Sequence, residues 1–185
     1  MRLKKKTLEY KVEIAQGSVL ASYSDGERLY THAGLRSAIR NVLVAEMMPE
    51  KQDHNIDDID LLQLSDHINN IFRGFVKKHH LVRHPIFHIG TERGGNASVG
   101  GIFWCDFSKI CPSMEAWRIP QIFGHTPTMN NAVKTAHGLK LIDIDAGMCR
   151  VYGGARVYLE ITKEGHLLQH RKVRSKWKTT SLVVQ

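Results

Sequence analysis

Apolar residues recur at helical spacing in two segments of the first half of the chain. In the clearer segment the apolar residues follow one another at steps of one to four positions, and they are Leu61, Leu64, Ile68, Ile71, Phe72 and Phe75. This spacing predicts one apolar face on an α-helix. Acidic residues precede the segment and basic residues follow it, which complements the helix dipole. Residues 35–48 predict an earlier helix, which Pro49 would end.

Runs of β-prone residues predict strands around and beyond these helices. Residues 19–23 and 28–31 flank Asp25-Gly26, a strong tight-turn signal, and therefore predict a hairpin. A second hairpin is predicted within residues 155–173, with its turn at Glu164-Gly165. Single strands are predicted at "IFWCDF" (102–107), "IPQIF" (119–123) and "GLKLIDID" (138–145). Together, these helices and strands predict a mixed α/β sandwich with a mixed, hairpin-rich sheet.

Length and composition indicate the class of protein. The chain has 185 residues, of which 42% are apolar and 24% charged, and this fits a single globular domain over residues 1–185. No apolar run reaches the roughly 20 residues of a membrane span, and residues 7–17 lack the core of a signal peptide. We therefore expect a cytoplasmic protein with no membrane partner. Reduced, partly buried thiols are expected at Cys105, Cys111 and Cys149.

The net charge of +8 favours phosphorylated or nucleic-acid partners. Its excess lies at the two ends of the chain, where solvated tails are the simpler explanation. Trp177 is the one aromatic residue within the second basic run, fewer than a stacking platform for bases needs. The sequence therefore favours a phosphorylated substrate over nucleic acid.

Two histidines each follow a predicted strand and precede small or turn-forming residues. His32 lies between "ERLYT" and Ala33-Gly34, and His125 lies between "PQIFG" and Thr126-Pro127. Ligand sites of open α/β sheets gather beyond the carboxyl ends of strands, and neutral imidazole is a common metal ligand. The pattern favours a metal site that contains both histidines.

Four motifs together resemble one enzyme family. "YTHAGL" (30–35) and "IFGHTP" (122–127) resemble the last two conserved blocks of the calcineurin-like metallophosphoesterases, and most closely the bacterial and phage-type PPP-like serine/threonine phosphatases. Between them, "GGIFWCDF" (100–107) resembles the tryptophan-aspartate block of that family. "LIDIDAGMCRVYGGARVYLEI" (141–161) resembles its closing strand pair. The blocks stand in family order over roughly residues 18–162.

The resemblance implies a metal-dependent phosphomonoester hydrolase of the metallophosphoesterase-type fold. Two divalent ions, manganese, iron or zinc, would lie about 4 Å apart and share a hydroxide that attacks phosphorus. By motif, His32 and His125 map to two ligands of the second metal. Arg93 would bind the substrate phosphate, with a solvated loop arginine as the alternative. Asp106 would orient a ligand histidine or line the groove, or else accept from backbone donors.

Three early blocks of the family are missing, namely Asp-x-His, Gly-Asp-x-x-Asp-Arg-Gly and Gly-Asn-His-Asp/Glu. Gly95-Asn96 comes after the first histidine block, and Asp53-His54-Asn55 lacks the right spacing. We therefore interpret the chain as the C-terminal portion of such an enzyme, weak or inactive alone, with its catalytic acid unassigned. A complementing N-terminal half or self-association would complete it. The alternatives are a non-catalytic remnant or regulatory subunit, and a basic nucleic-acid-binding module.

Two further polar patterns are interpreted as structural. Asp143 and Asp145 alternate with Ile142 and Ile144, which is typical of a strand with one buried and one exposed face. The histidines of "HHLVRHPIFH" (79–88) include steps of four residues, but Pro85 disfavours the regular helix that would place them on one side.

Overall fold

A computed structural model of the protein describes residues 20–50, 59–77, 83–110, 119–128, 133–154 and 156–183. Backbone contacts divide the chain into two compact units. The large unit comprises the described parts of residues 21–126 and 135–143, and the small unit those of residues 127–134 and 144–183. The chain is mixed α/β, as its sequence predicts. None of the described helices is long and apolar enough to cross a membrane.

The large unit combines helices with a mixed sheet of five strands. The helices are α1 (Ser37–Met47), α2 (Leu61–Lys77) and α3 (Phe107–Ile110). The strands are β1 (Ser22–Ser24), β2 (Leu29–Thr31), β3 (Gln121–Phe123), β4 (Lys134–Ala136) and β5 (Leu141–Asp143), in the order β1-β2-β3-β5-β4. β1 is antiparallel to β2, whereas β2, β3 and β5 are mutually parallel. Short 3-10 helices cover Pro85–Phe87 and Thr91–Arg93.

The first hairpin and the two long helices are confirmed. Asp25 Oδ1 accepts from the backbone N–H groups of Glu27 and Arg28, and Gly26 supplies a left-handed φ of 92°. That combination closes the turn between β1 and β2. Helix α2 buries Leu64 and Ile68 in the core, as its apolar spacing predicts.

One buried amide fastens α2 to the edge strand β1. Asn69 Oδ1 accepts from the N–H groups of Ala21 at 2.8 Å and Ser22 at 3.1 Å, and its Nδ2 donates to the Ser22 carbonyl at 2.9 Å. The hydroxyls of Ser22 and Ser65 lie 3.0 Å apart. The side chain of Asn69 thus takes the hydrogen bonds that a further strand would make, and it covers the exposed edge of the sheet.

The small unit contains an antiparallel sheet of three strands. They are β6 (Val157–Ile161), β7 (Leu167–Val173) and β8 (Lys176–Leu182), in that order. The predicted hairpin at Glu164-Gly165 is confirmed, whereas β8 was not predicted. Its residues are almost all exposed, so it lacks the apolar alternation that marks a half-buried strand.

The predicted strand at residues 102–107 is wrong. Residues 102–104 form a turn, in which the Trp104 N–H donates to the Gly101 carbonyl at 2.9 Å, and α3 begins at Phe107. Ile102 donates to the Ile86 carbonyl and accepts from the Ala33 N–H. These bonds reach two separate loops, so no ladder forms although Ile102 is fully buried.

The predicted alternation along β5 is also wrong. Ile142 and Asp143 are both 0% exposed, whereas Ile144 is 42% exposed. β5 lies between β3 and β4 inside the sheet, and all three of its residues are buried. A strand covered on both faces has no exposed side for an aspartate.

Candidate functional site

Two neighbouring parallel strands, β2 and β3, end shortly before His32 and His125. Leu29 of β2 lies opposite Gln121 of β3, and the pairing extends past both strands because the Gly124 N–H donates to the His32 carbonyl at 2.8 Å. The imidazoles meet just beyond this bond, with His32 Nε2 at 3.0 Å from His125 Nδ1. The structure therefore brings together the two histidines that the sequence singles out.

The loop that carries His32 is tied to the strand that leads to His125. Gln121 Oε1 accepts from the Leu35 N–H at 2.7 Å, and Gln121 Nε2 donates to the Leu35 carbonyl at 3.0 Å. Gly34, which lies between His32 and Leu35 in this loop, has a φ of 89°. A Cβ at this position would lie 2.3 Å from Ile110 Cδ1. The buried amide and the glycine together fix the turn after β2 against β3.

The backbone at His125 lies in the left-handed region, with φ of 73°. Histidine enters this region more readily than most residues, at a strain of the order of 1 kcal/mol. Its ring meets Trp104 edge-on, with centroids 5.8 Å apart, and His32 at 4.8 Å. The turn thus aims the imidazole at His32 instead of letting it follow the strand.

Arg93 and Asp106 form an ion pair linked to the residue after His125. Arg93 Nε donates to Asp106 Oδ2 at 3.0 Å, and Arg93 Nη2 donates to Oδ1 at 2.5 Å. The Thr126 hydroxyl donates to the same Oδ1 at 3.3 Å and accepts from the Phe107 N–H at 3.0 Å. A phosphate bound at Arg93 would share the guanidinium with Asp106, and Asp106 binds an arginine and a threonine instead of a histidine.

A third parallel strand ends in a carboxylate that the sequence patterning assigned to an exposed face. Asp143 closes β5 directly opposite Phe123, the last residue of β3, and is 0% exposed. Aspartates are rarely buried so completely without a structural or chemical reason. The apolar run around "LID", taken as a strand buried on both faces, is the signal that could have identified Asp143.

An aromatic groove of about 520 Å³ opens beside the two histidines. Its walls combine both imidazoles with Phe72, Phe75, Phe87, Phe103 and Trp104. The rings of Phe75 and Phe87 stack at a centroid distance of 4.3 Å. The groove lies in the size range of small-molecule sites and places an apolar wall next to the imidazoles.

The described residues contain no group of three His, Cys, Asp or Glu side chains placed to hold a metal. Asp53-His54-Asn55 and Cys111 lie outside them. Burial raises the pKa of the Cys105 thiol to about 12, so this sulfur stays protonated and inert at neutral pH. Cys149 is exposed, contrary to the expectation of burial. His32 and His125 are thus the strongest metal-ligand candidates in the described part of the chain.

The pair fits two neighbouring ligands of a single ion. His32 Nε2 and His125 Nδ1, at a separation of 3.0 Å, are close enough for one ion to take both as ligands, and imidazole nitrogen is a common ligand of zinc. Without a metal, the same approach is a hydrogen bond, in which one nitrogen carries the proton and the other accepts it.

The chain was compared with families, proteins and structures already described. No family model, no curated protein and no solved structure matches it. The resemblance to the metallophosphoesterases accordingly stays a prediction that rests on the four sequence motifs.

Proposed function

We propose that the chain is the C-terminal part of a calcineurin-like metallophosphoesterase, a metal-dependent phosphatase domain of the α/β sandwich type. The observation that carries this proposal is the 3.0 Å approach of His32 Nε2 to His125 Nδ1 at adjacent strand ends. Two motif histidines, far apart in the sequence, meet where ligand sites of such sheets gather.

The residues of the site would have the following roles in the reaction. His32 and His125 hold one of two divalent ions, manganese, iron or zinc, and the remaining ligands come from the missing early blocks. Bound metal supplies the nucleophile and stabilises charge on the phosphoryl group. Arg93 binds phosphate oxygens next to Asp106, and Trp104 closes one side of the imidazole pair. The substrate is a phosphomonoester, with phosphoserine and phosphothreonine as first candidates.

Metal binding tests the histidine pair without requiring activity. Isothermal titration with Zn²⁺ or Mn²⁺ should give an affinity that rises with pH, because the metal binds neutral imidazole and competes with protons for its ring nitrogen. His32→Ala and His125→Ala should each weaken binding by about tenfold or more, the loss that even outer-shell changes produce. His88→Ala, which removes an exposed histidine of the same unit, should have no effect. Equal affinities in all four proteins would contradict the proposal.

Hydrolysis of p-nitrophenyl phosphate with added Mn²⁺ tests the chemistry. We expect weak or no turnover by the chain alone, and turnover after addition of an N-terminal half that carries the three missing blocks. His125→Ala should abolish the restored activity. Strong activity of the chain alone, lost in His125→Ala, would show that the site is complete and that the C-terminal-part interpretation is wrong.

A non-catalytic remnant or regulatory subunit is the second candidate. The observation in its favour is that Asp106 already accepts two hydrogen bonds from the Arg93 guanidinium, the group that a phosphatase would need for phosphate. It predicts metal binding through His32 and His125, or none, and no turnover even with the complementing half present.

A further inference from the structure

Strand register places three ring-bearing side chains on one face of the small unit's sheet. Tyr158 of β6 lies opposite His170 of β7, and His170 lies opposite Thr179 of β8. Lys172 lies opposite Trp177 in the same pair of strands. Residues two apart along a strand share a face, so Tyr158, His170 and Trp177 lie on the same side, together with Lys172.

These rings are ordered by contacts within the sheet. His170 Nε2 lies 2.7 Å from Glu160 Oε2, and its Nδ1 lies 3.0 Å from the Thr179 hydroxyl. Tyr158 stacks on His170 with centroids 4.4 Å apart and planes 11° apart, and Trp177 stands at 5.3 Å from Tyr158. Tyr158 and Trp177 are still 48% and 50% exposed. Fixed aromatic rings exposed on an antiparallel sheet are the surface on which unpaired bases stack.

The hairpin that carries Trp177 is basic throughout. Residues 165–183 contain no Asp or Glu, and their cations are Arg171, Lys172, Arg174, Lys176 and Lys178. Arg171, Lys176 and Lys178 lie on the opposite face of the sheet from the rings, because they alternate with Lys172 and Trp177 along their strands. On the ring face, Lys172 lies opposite Trp177, and its backbone N–H donates to the carbonyl of Arg156. A polyanion laid along this row of residues would release its own counterions.

We propose that this face of the small unit binds single-stranded nucleic acid. Bases stack on Tyr158 and Trp177, and phosphates contact Lys172, the cation that the register places on the same face. Sequence alone argues against nucleic acid because Trp177 is the one aromatic residue in the basic run. The register adds Tyr158 from a different strand, and it supplies the second ring. The proposal does not depend on the phosphatase function.

Fluorescence anisotropy with labelled oligo-dT and oligo-U, at several salt concentrations, tests the proposal on the full chain. The logarithm of the affinity should fall with the logarithm of the salt concentration by about 0.7 per phosphate neutralised. Trp177→Ala and Tyr158→Ala should each weaken binding by about tenfold, whereas Trp177→Phe should retain most of it. Lys172→Gln should lower the salt slope. Tyr152→Ala, which removes an exposed ring outside the three strands, serves as the control and should change neither.

Three results would overturn the proposal. Affinity that is insensitive to Trp177→Ala and Tyr158→Ala would leave charge alone as the cause of binding. Equal or tighter binding of a duplex of the same length would contradict stacking on unpaired bases. Self-association that Trp177→Ala abolishes, without oligonucleotide binding, would assign the face to a second copy of the chain. Circular dichroism of each variant, together with the Trp177→Phe protein, separates these results from loss of the folded sheet.

Discussion

The two units of the molecule hold their sheets in different ways. In the large unit, buried side-chain amides accept hydrogen bonds from the backbone. Asn69 binds the edge of β1 in this way, and Gln121 binds the loop after β2. In the small unit, Gln169 Oε1 likewise accepts from the Val133 N–H at 2.7 Å, but the described contacts between polar and aromatic side chains lie on the exposed face, around Tyr158 and His170. Buried side chains of the large unit therefore contribute to its stability and to the placement of the histidines. Side chains on the exposed face of the small unit can serve a partner at little cost in stability.

The largest expected effect tests the steric fit in the large unit. Gly34→Ala combines a left-handed φ with a Cβ 2.3 Å from Ile110 Cδ1, so we expect unfolding free energy to fall by about 2–4 kcal/mol. Gly26→Ala is the matched control. It has a φ of 92° but nothing within 4 Å of the new Cβ, and it should lose about 1 kcal/mol. Urea denaturation measures both, and equal losses would show that crowding at Gly34 is unimportant.

The next effect concerns the amide that covers β1. Asn69→Ala leaves the N–H groups of Ala21 and Ser22 and the carbonyl of Ser22 without their buried partner, so we expect a loss of about 2–3 kcal/mol. Asn70→Ala changes the exposed neighbour on the same helix and should stay within about 0.5 kcal/mol. Thermal or urea unfolding distinguishes the two. If both variants lost the same stability, the contrast between buried and surface polar contacts would fail.

The smallest effect compares a surface carboxylate in each unit. Glu46 accepts from His67 and His84, each at 2.9 Å. Burial raises the pKa of Glu46, but these hydrogen bonds outweigh burial and hold that pKa below its ordinary value of 4.5. A lowered pKa in the folded state means that the carboxylate stabilises the fold above about pH 4.5, and that this stabilisation is lost as the pH falls through the folded-state pKa.

Glu46→Gln should therefore lower the unfolding free energy at pH 7 by less than about 1 kcal/mol, because Glu46 is partly exposed. The difference from the unmutated chain should shrink as the pH falls below 4.5. Glu160→Gln in the small unit removes the carboxylate from a single histidine pair and should have the smaller effect. Urea denaturation at several pH values measures both variants, and a difference that grows in acid would contradict the prediction.

Local patterns in the sequence were enough for much of the fold. Asp25-Gly26 predicts the first hairpin, and apolar spacing predicts α2, because each signal lies within the element that it specifies. β8 and the turn at residues 102–104 depend on partners elsewhere in the chain. Ile102 is apolar and buried, yet its hydrogen bonds go to Ile86 and Ala33, which no local window contains.

The candidate site shows the same division. The motifs predict that His32 and His125 follow strands, and the structure adds that these strands are parallel neighbours. The pairing of Arg93 with Asp106 and the burial of Asp143 follow from the order of strands and loops in space. Spacing along the chain does not encode that order, so these features could not be predicted from the sequence.

The left-handed backbone at His125 also limits which residues can replace the histidine at this position. Glycine, asparagine and aspartate adopt this conformation readily, whereas valine, isoleucine and threonine do not. A lineage released from the need for an imidazole would drift first to glycine or asparagine, which relax the turn and keep its shape. Histidine retained here in divergent descendants would therefore record selection for the ring itself, and the residue found at this one position would distinguish working from decayed copies of the domain.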